Sequence, residues 1–120
     1  MRTTVDGKAT YEARTLAEWV PTIVRDIVAG FDPLQIVLFG SVARGDDGPD
    51  SDIDLLIVLP HVDPRSRHEL MSAMSLAISV PIAVDLFPTD PREFARRRDV
   101  IGSLHYWPAR EGTTVYERPS

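Results

Sequence analysis

Three aspartates stand where acids are costly. Asp52 and Asp54 open an otherwise apolar run, Asp52-Ile53-Asp54-Leu55-Leu56-Ile57-Val58-Leu59, and Asp85 interrupts another, Ile82-Ala83-Val84-Asp85-Leu86-Phe87. On a strand, residues two apart share a face, so Asp52 and Asp54 point to one side with Cα atoms about 6–7 Å apart. Carboxylates in apolar strands are unfavourable unless positive charge compensates them. A divalent cation does so, and hard oxygen donors select Mg²⁺ or Mn²⁺. With the two strands as neighbours, three carboxylates converge. Each acid also has a plainer reading: an Asp-X-Asp pair begins many strands, and a single Asp at a strand end often bonds a loop amide.

Gly40-Ser41 follows the apolar run Leu34-Gln35-Ile36-Val37-Leu38-Phe39. Glycine there lets a ligand approach the backbone, and the following N–H groups with the Ser41 hydroxyl suit phosphate oxygens. The alternative is an ordinary strand-to-helix turn with a serine cap. Arg44-Gly45 fits a one-turn helix ended by glycine, with Arg44 meeting phosphate or pairing with Asp46.

The elements that must position these residues are readable. Thr15-Leu16-Ala17-Glu18 is a capping box, and Leu16, Trp19, Val20, Ile23, Val24 and Ile27 recur at helical spacing. A helix is expected from Leu16 to Ala29, kinked or delayed at Pro21 and closed by Gly30. Strands are expected over 34–39, 52–59 (apolar on both faces, hence central) and 82–87, the last closed by Pro88. Asp63-Pro64 and Asp90-Pro91 are cap-plus-proline helix starts. The first helix carries Leu70, Met71, Met74, Ala77 and Ile78 as its apolar stripe and ends before Pro81. The second is expected from Pro91 to Leu104, burying Phe94, Ile101 and Leu104. Thr113–Tyr116 is a last edge strand, and 1–13 a flexible N-terminal arm or weakly docked strand. The fold class is α/β (α+β): a small mixed sheet flanked by helices, in one domain over 14–118.

The chain has 120 residues, 43% hydrophobic and 26% charged, which excludes disorder and leaves room for one domain. It has no cysteine, which removes disulfides, thiolate zinc and cysteine nucleophiles. The net charge of −5 does not attract nucleic acid directly and suits a basic protein or a cationic small molecule. Neither a signal core at the start nor an apolar run of membrane length is present, so a cytoplasmic protein is expected. Arg96-Arg97-Arg98 reads as a solvated face with Glu93–Arg97 an i,i+4 pair. His61, His68 and His105 lack ligand spacing with the acids.

Gly40-Ser41-Val42-Ala43-Arg44-Gly45 followed by Ser51-Asp52-Ile53-Asp54-Leu55-Leu56 resembles the signature of the nucleotidyltransferase superfamily with a polymerase-β-like core. The ten residues between Ser41 and Asp52 resemble the spacing of its minimal members, the MNT proteins, many of them antitoxins beside a HEPN-domain ribonuclease toxin. The resemblance covers Leu16 to Tyr116. It implies that Asp52 and Asp54 bridge two Mg²⁺ ions (Mn²⁺ being an alternative) and that Asp85 completes the catalytic one. It also implies that Gly40, Ser41 and Arg44 bind the nucleotide, ATP. The implied reaction is in-line attack of an acceptor hydroxyl on the α-phosphorus, with Asp85 as nearby base.

Three functions follow from the resemblance: an antitoxin that transfers AMP to a tyrosine of a HEPN toxin, an antitoxin that masks its toxin without catalysis, and a small-molecule nucleotidyltransferase acting, for instance, on aminoglycosides. The third is disfavoured because little chain remains beyond the core for a substrate domain, and the first is preferred to the second because three acids in apolar strands are costly to keep for contact alone. A partner or second subunit then supplies the acceptor surface, in a homo- or hetero-oligomer.

Overall fold

Thr15 starts the first helix as its sequence demands. In a computed structural model describing residues 2–120, its hydroxyl accepts from the Glu18 N–H, and the Glu18 carboxylate accepts from the Thr15 N–H. Helix α1 (Leu16–Phe31) buries all six apolar residues of its stripe and runs on across Pro21. It does not close at Gly30. Asp32 ends it in the left-handed region (φ 46°), its N–H reaching the Val28 carbonyl at 3.0 Å. Aspartate is among the few residues that accept this conformation singly.

The expected arm over 1–13 is instead a hairpin; Met1 lies outside the described residues. Strands β1 (Arg2–Val5), β2 (Lys8–Tyr11) and the short β3 (Arg14–Thr15) form an antiparallel sheet. Asp6 (φ 52°) and Gly7 (φ 79°) make the two-residue turn between β1 and β2, the geometry that matches strand twist. Ala9 and Thr10 are buried. Lys8 Nζ donates to the Gly45 carbonyl at 2.7 Å and to Asp47 at 3.0 Å, so the hairpin braces the loop that leads to Asp52.

The main sheet contains β4 (Gln35–Phe39), β5 (Ile53–Val58), β6 (Val84–Thr89) and β7 (Thr113–Glu117) in the order β6-β5-β4-β7. β5 runs antiparallel to β4 and parallel to β6, and β7 closes the far edge against β4. Ile36, Leu38, Ile53, Leu55, Ile57 and Leu86 join α1 and Met74 in one core. Met74 belongs to α3 (Arg67–Ala77); α2 is the short helix Gly40–Arg44. Asp63 caps a 3₁₀ turn, Pro64–Ser66, that leads into α3.

Two expectations fail in the second half. β6 does not stop at Pro88: it continues to Thr89, with Pro88 opposite Ile57. An edge strand tolerates proline because only one side of it is bonded. The helix expected over 91–104 is only α4 (Pro91–Arg97), followed by turns and α5 (Tyr106–Glu111). Ser103 Oγ takes the Arg97 carbonyl and the Arg110 guanidinium takes that of Arg98, so the last turn is capped from outside. Ile101 is 82% exposed and Leu104 54%. Neither is core.

Asp90 holds the start of α4 and the end of a neighbouring loop together. Its carboxylate accepts from the Glu93 N–H at 2.9 Å and the Val62 N–H at 3.0 Å. The Glu93 N–H bond, followed by that of Val62, holds the Asp90 pKa below the usual carboxylate value. Asp90→Ala is expected to cost about 2 kcal/mol in urea unfolding at pH 7, a lost cap plus one orphaned N–H. Because the folded pKa is depressed, this stabilisation is complete above the ordinary carboxylate value and fades as pH falls through the lowered one. The gap between wild type and variant should therefore narrow in acid; a gap constant down to pH 2 would mean the carboxylate's charge plays no part.

Candidate active site

Phe39 is the last residue of β4, and Gly40, at φ 77°, turns the chain sharply into α2. Only glycine fits here on two counts: the φ is left-handed, and a Cβ would fall onto the Asp54 carboxylate. The Gly40 backbone thus lies directly against Asp54. Strand register places Phe39 opposite Asp54 and Asp54 opposite Asp85, one row across three strands. By strand alternation this row lies on the sheet face away from α1. Phe87, two residues on from Asp85, packs its ring 5.6 Å from that of Phe39.

The three acids expected at the site share this face, but not equally. Asp54 is half-buried and its pKa is pushed up to about 6. Burial is the main cause, followed by the charge and hydrogen bonding of Asp85 and then the charge of Asp52; Arg44 opposes them. Asp85 is exposed on edge strand β6, and Asp52 is half-buried just before β5. Asp54 and Asp85 form the close pair, with Asp52 acting on it through its charge. Among the described residues, no group of three or more acids, histidines or cysteines encloses a common metal position. The donor chemistry nevertheless suits a hard cation. It is all carboxylate, and burial, reinforced by the neighbouring carboxylates, already holds Asp54 near half-protonation at pH 6.

Ser41 Oγ lies 3.1 Å from Ser51 Oγ, which in turn accepts from the Gly48 N–H at 2.7 Å. The hydroxyl is thereby fixed between the turn and the strand bearing the acids. Gly45 ends α2 at φ 80°, as expected of a glycine cap. Arg44 does pair with Asp46, at 3.2 Å, and also reaches Glu111 of α5 at 3.6 Å. Phe39, Gly40, Arg44, Trp107 and Glu111 line an open concavity of about 330 Å³ beside the acid row. Phe39, Trp107 and Glu111 were not singled out from sequence. Phe39 was readable from its place before Gly40, whereas α5 had no such marker.

Other side chains make contacts away from the acid row. Glu93 pairs with Arg97 at 3.8 Å. His105 is buried, bonded to Thr89 Oγ1 at 2.8 Å, and desolvation lowers its pKa. Among the described residues no helix is long and apolar enough to cross a membrane.

The mixed sheet, with an acid row at one end abutting a glycine-serine turn, is the arrangement of a nucleotidyltransferase-type fold. The chain belongs to the nucleotidyltransferase domain family, whose pattern matches residues 18–109. No curated protein gives a match. Among solved structures the fold is similar to that of a Sulfolobus solfataricus protein to which nucleotidyltransferase activity is ascribed. The TM-score is 0.61 at 24% identity, over 86% of this chain and 81% of that one. It is also similar to a toxin–antitoxin structure with AMP-PNP, with a TM-score of 0.51 at 20% identity, over 81% and 72% of the two chains.

Proposed function

We propose that this nucleotidyltransferase moves AMP from ATP to a hydroxyl of a protein partner, a tyrosine of a HEPN-domain toxin, and so acts as its antitoxin. The observation carrying the chemistry is the Asp54–Asp85 pair, with Asp54 directly against Gly40. Asp52, Asp54 and Asp85 would hold Mg²⁺, and Mn²⁺ is the alternative. Bound there, the two ions implied by the family resemblance would neutralise the triphosphate and acidify the acceptor hydroxyl. The Gly40-Ser41 turn brings backbone N–H groups and a fixed hydroxyl to the β- and γ-phosphates. Arg44 adds positive charge beside them. Asp85, exposed at the edge strand, accepts the acceptor's proton as its oxygen bonds the α-phosphorus. The bond from that phosphorus to the bridging oxygen breaks, and pyrophosphate leaves.

The protein acceptor is supported by the likeness to a toxin–antitoxin structure with AMP-PNP and by the MNT-like spacing of the signature. A reaction fed by ATP fits the cytoplasm. Incubation with the HEPN protein, Mg²⁺ and ATP labelled at the α-phosphorus is expected to label the partner, whereas label at the γ-phosphorus leaves with pyrophosphate. An unlabelled partner that nonetheless binds and is neutralised would replace catalysis by masking.

A further inference from the structure

Trp107 is 55% exposed, unusual for a residue that is mostly buried in folded proteins. It is not loosely held. Its ring stands edge-on to Tyr106, with centroids 5.1 Å apart and planes at 89°. Tyr106 in turn lies under the Arg110 guanidinium at 3.8 Å. Arg110 is itself anchored, to the Arg98 carbonyl at 2.6 Å and to Asp99 at 3.0 Å. An aromatic surface left in water on a fixed mount is prepared for a flat partner.

Its position says which partner. Trp107 lines the same concavity as Phe39, Gly40, Arg44 and Glu111. The 3.6 Å Arg44–Glu111 pair ties this wall of α5 to the α2 turn. At about 330 Å³ the concavity falls in the range of small-molecule sites, roughly 300–1,000 Å³. Gly40 belongs to the concavity and also abuts Asp54, so a molecule held at the acids reaches the concavity without leaving the surface. The sheet order β6-β5-β4-β7 puts Asp85 on the opposite flank of Asp54. That flank is open for an acceptor. The Trp107 side is left for the rest of the donor.

We infer that the concavity receives the base of the nucleoside triphosphate, with Trp107 as its stacking platform. The inference rests on the nucleotide reading of the site given above. Trp107 is here a binding residue: it sets affinity for the nucleoside and takes no part in proton transfer. Phosphate contacts alone do not distinguish ATP from inorganic tripolyphosphate, whereas a stacked base does.

Calorimetric titration of the full chain with ATP and with tripolyphosphate, each with Mg²⁺, separates these contributions. Wild type should prefer ATP. Trp107→Ala should weaken ATP about tenfold, as for removal of one stacking aromatic, and leave tripolyphosphate unchanged. Trp107→Phe should restore most of the loss. Unchanged ATP affinity in Trp107→Ala overturns the proposal, and so does an equal loss for both compounds, which marks general damage to the phosphate site. Wild type binding neither compound overturns the nucleotide reading itself.

Discussion

The Asp52→Asn/Asp54→Asn double variant is expected to fold, to melt higher than wild type in metal-free buffer, and to lose AMP transfer by about 1,000-fold or more. The loss follows from removing carboxylates that would hold the divalent ions, whose charge stabilisation is worth several kcal/mol, each 1.36 kcal/mol being tenfold in rate. The gain follows from burial of a charge, with repulsion added to it. Burial, Asp85 and Asp52 raise Asp54 from 3.8 to about 6, so its ionised form opposes folding at pH 7. Asp54 remains partly in solvent, and screening reduces the effect to about 1 kcal/mol, or about 4 °C in Tm. A raised carboxyl pKa means that the folded state binds the proton more tightly, so wild-type stability falls as pH rises through about 4 to 6. The variant lacks that slope. Mg²⁺ with ATP is expected to raise the Tm of wild type, and the variant should lose that increment. Mass spectrometry should find about 329 Da added to the partner per AMP transferred, with wild type alone. Protection from the toxin by the double variant, without added mass, would mean that masking suffices.

Gly40→Val should damage activity less than the double variant but stability more, and for steric reasons. At φ 77° a β-branched residue is strained, and its Cβ would fall on Asp54 Oδ2 while lying 3.1 Å from the same residue's Cγ. Left-handed strain of about 1–2 kcal/mol and overpacking of about 1–3 kcal/mol predict a loss near 3 kcal/mol. Displacing Asp54 by about 1 Å is worth roughly 100-fold in activity. Ser41→Ala should leave Tm almost unchanged and weaken ATP use about tenfold, since one charge-assisted hydrogen bond is removed. Wild-type turnover in Gly40→Val would separate the turn from the acids.

The candidate site was legible because its residues break local rules. Aspartate in apolar runs such as Ile53–Val58 and residues 82–87 has no packing rationale in sequence, which drew attention to Asp54 and Asp85 as candidates for chemistry. Gly40 and Gly45 were legible because turns require φ values that other residues avoid. The wall formed by α5 was not. Pro108 stands inside this short helix, and Ile101 and Leu104 imitated the stripe of a longer buried one. Apolar spacing cannot distinguish core from surface when the following turn is capped by distant side chains such as Arg110. The N-terminal hairpin did carry a signal, Asp6-Gly7, which is a strong two-residue turn pair. Polar flanking strands concealed it, since Thr3, Thr4 and Val5 are all exposed.

The position of β7 has a consequence for how the molecule assembles. Its register joins Glu117 to Gln35, so β4 must wait for a strand more than two-thirds of the chain away. Closing so long a loop is slow relative to local pairing. The β4–β5 ribbon, with Asp54 already against Gly40, can form early in synthesis, and β6 can add Asp85 next. Trp107 and Glu111 take their places later still, when α5 packs onto α2 and β4. A nascent chain would therefore carry its acid row before it has a wall for the nucleoside, and selectivity for the donor would be the last property to emerge during folding.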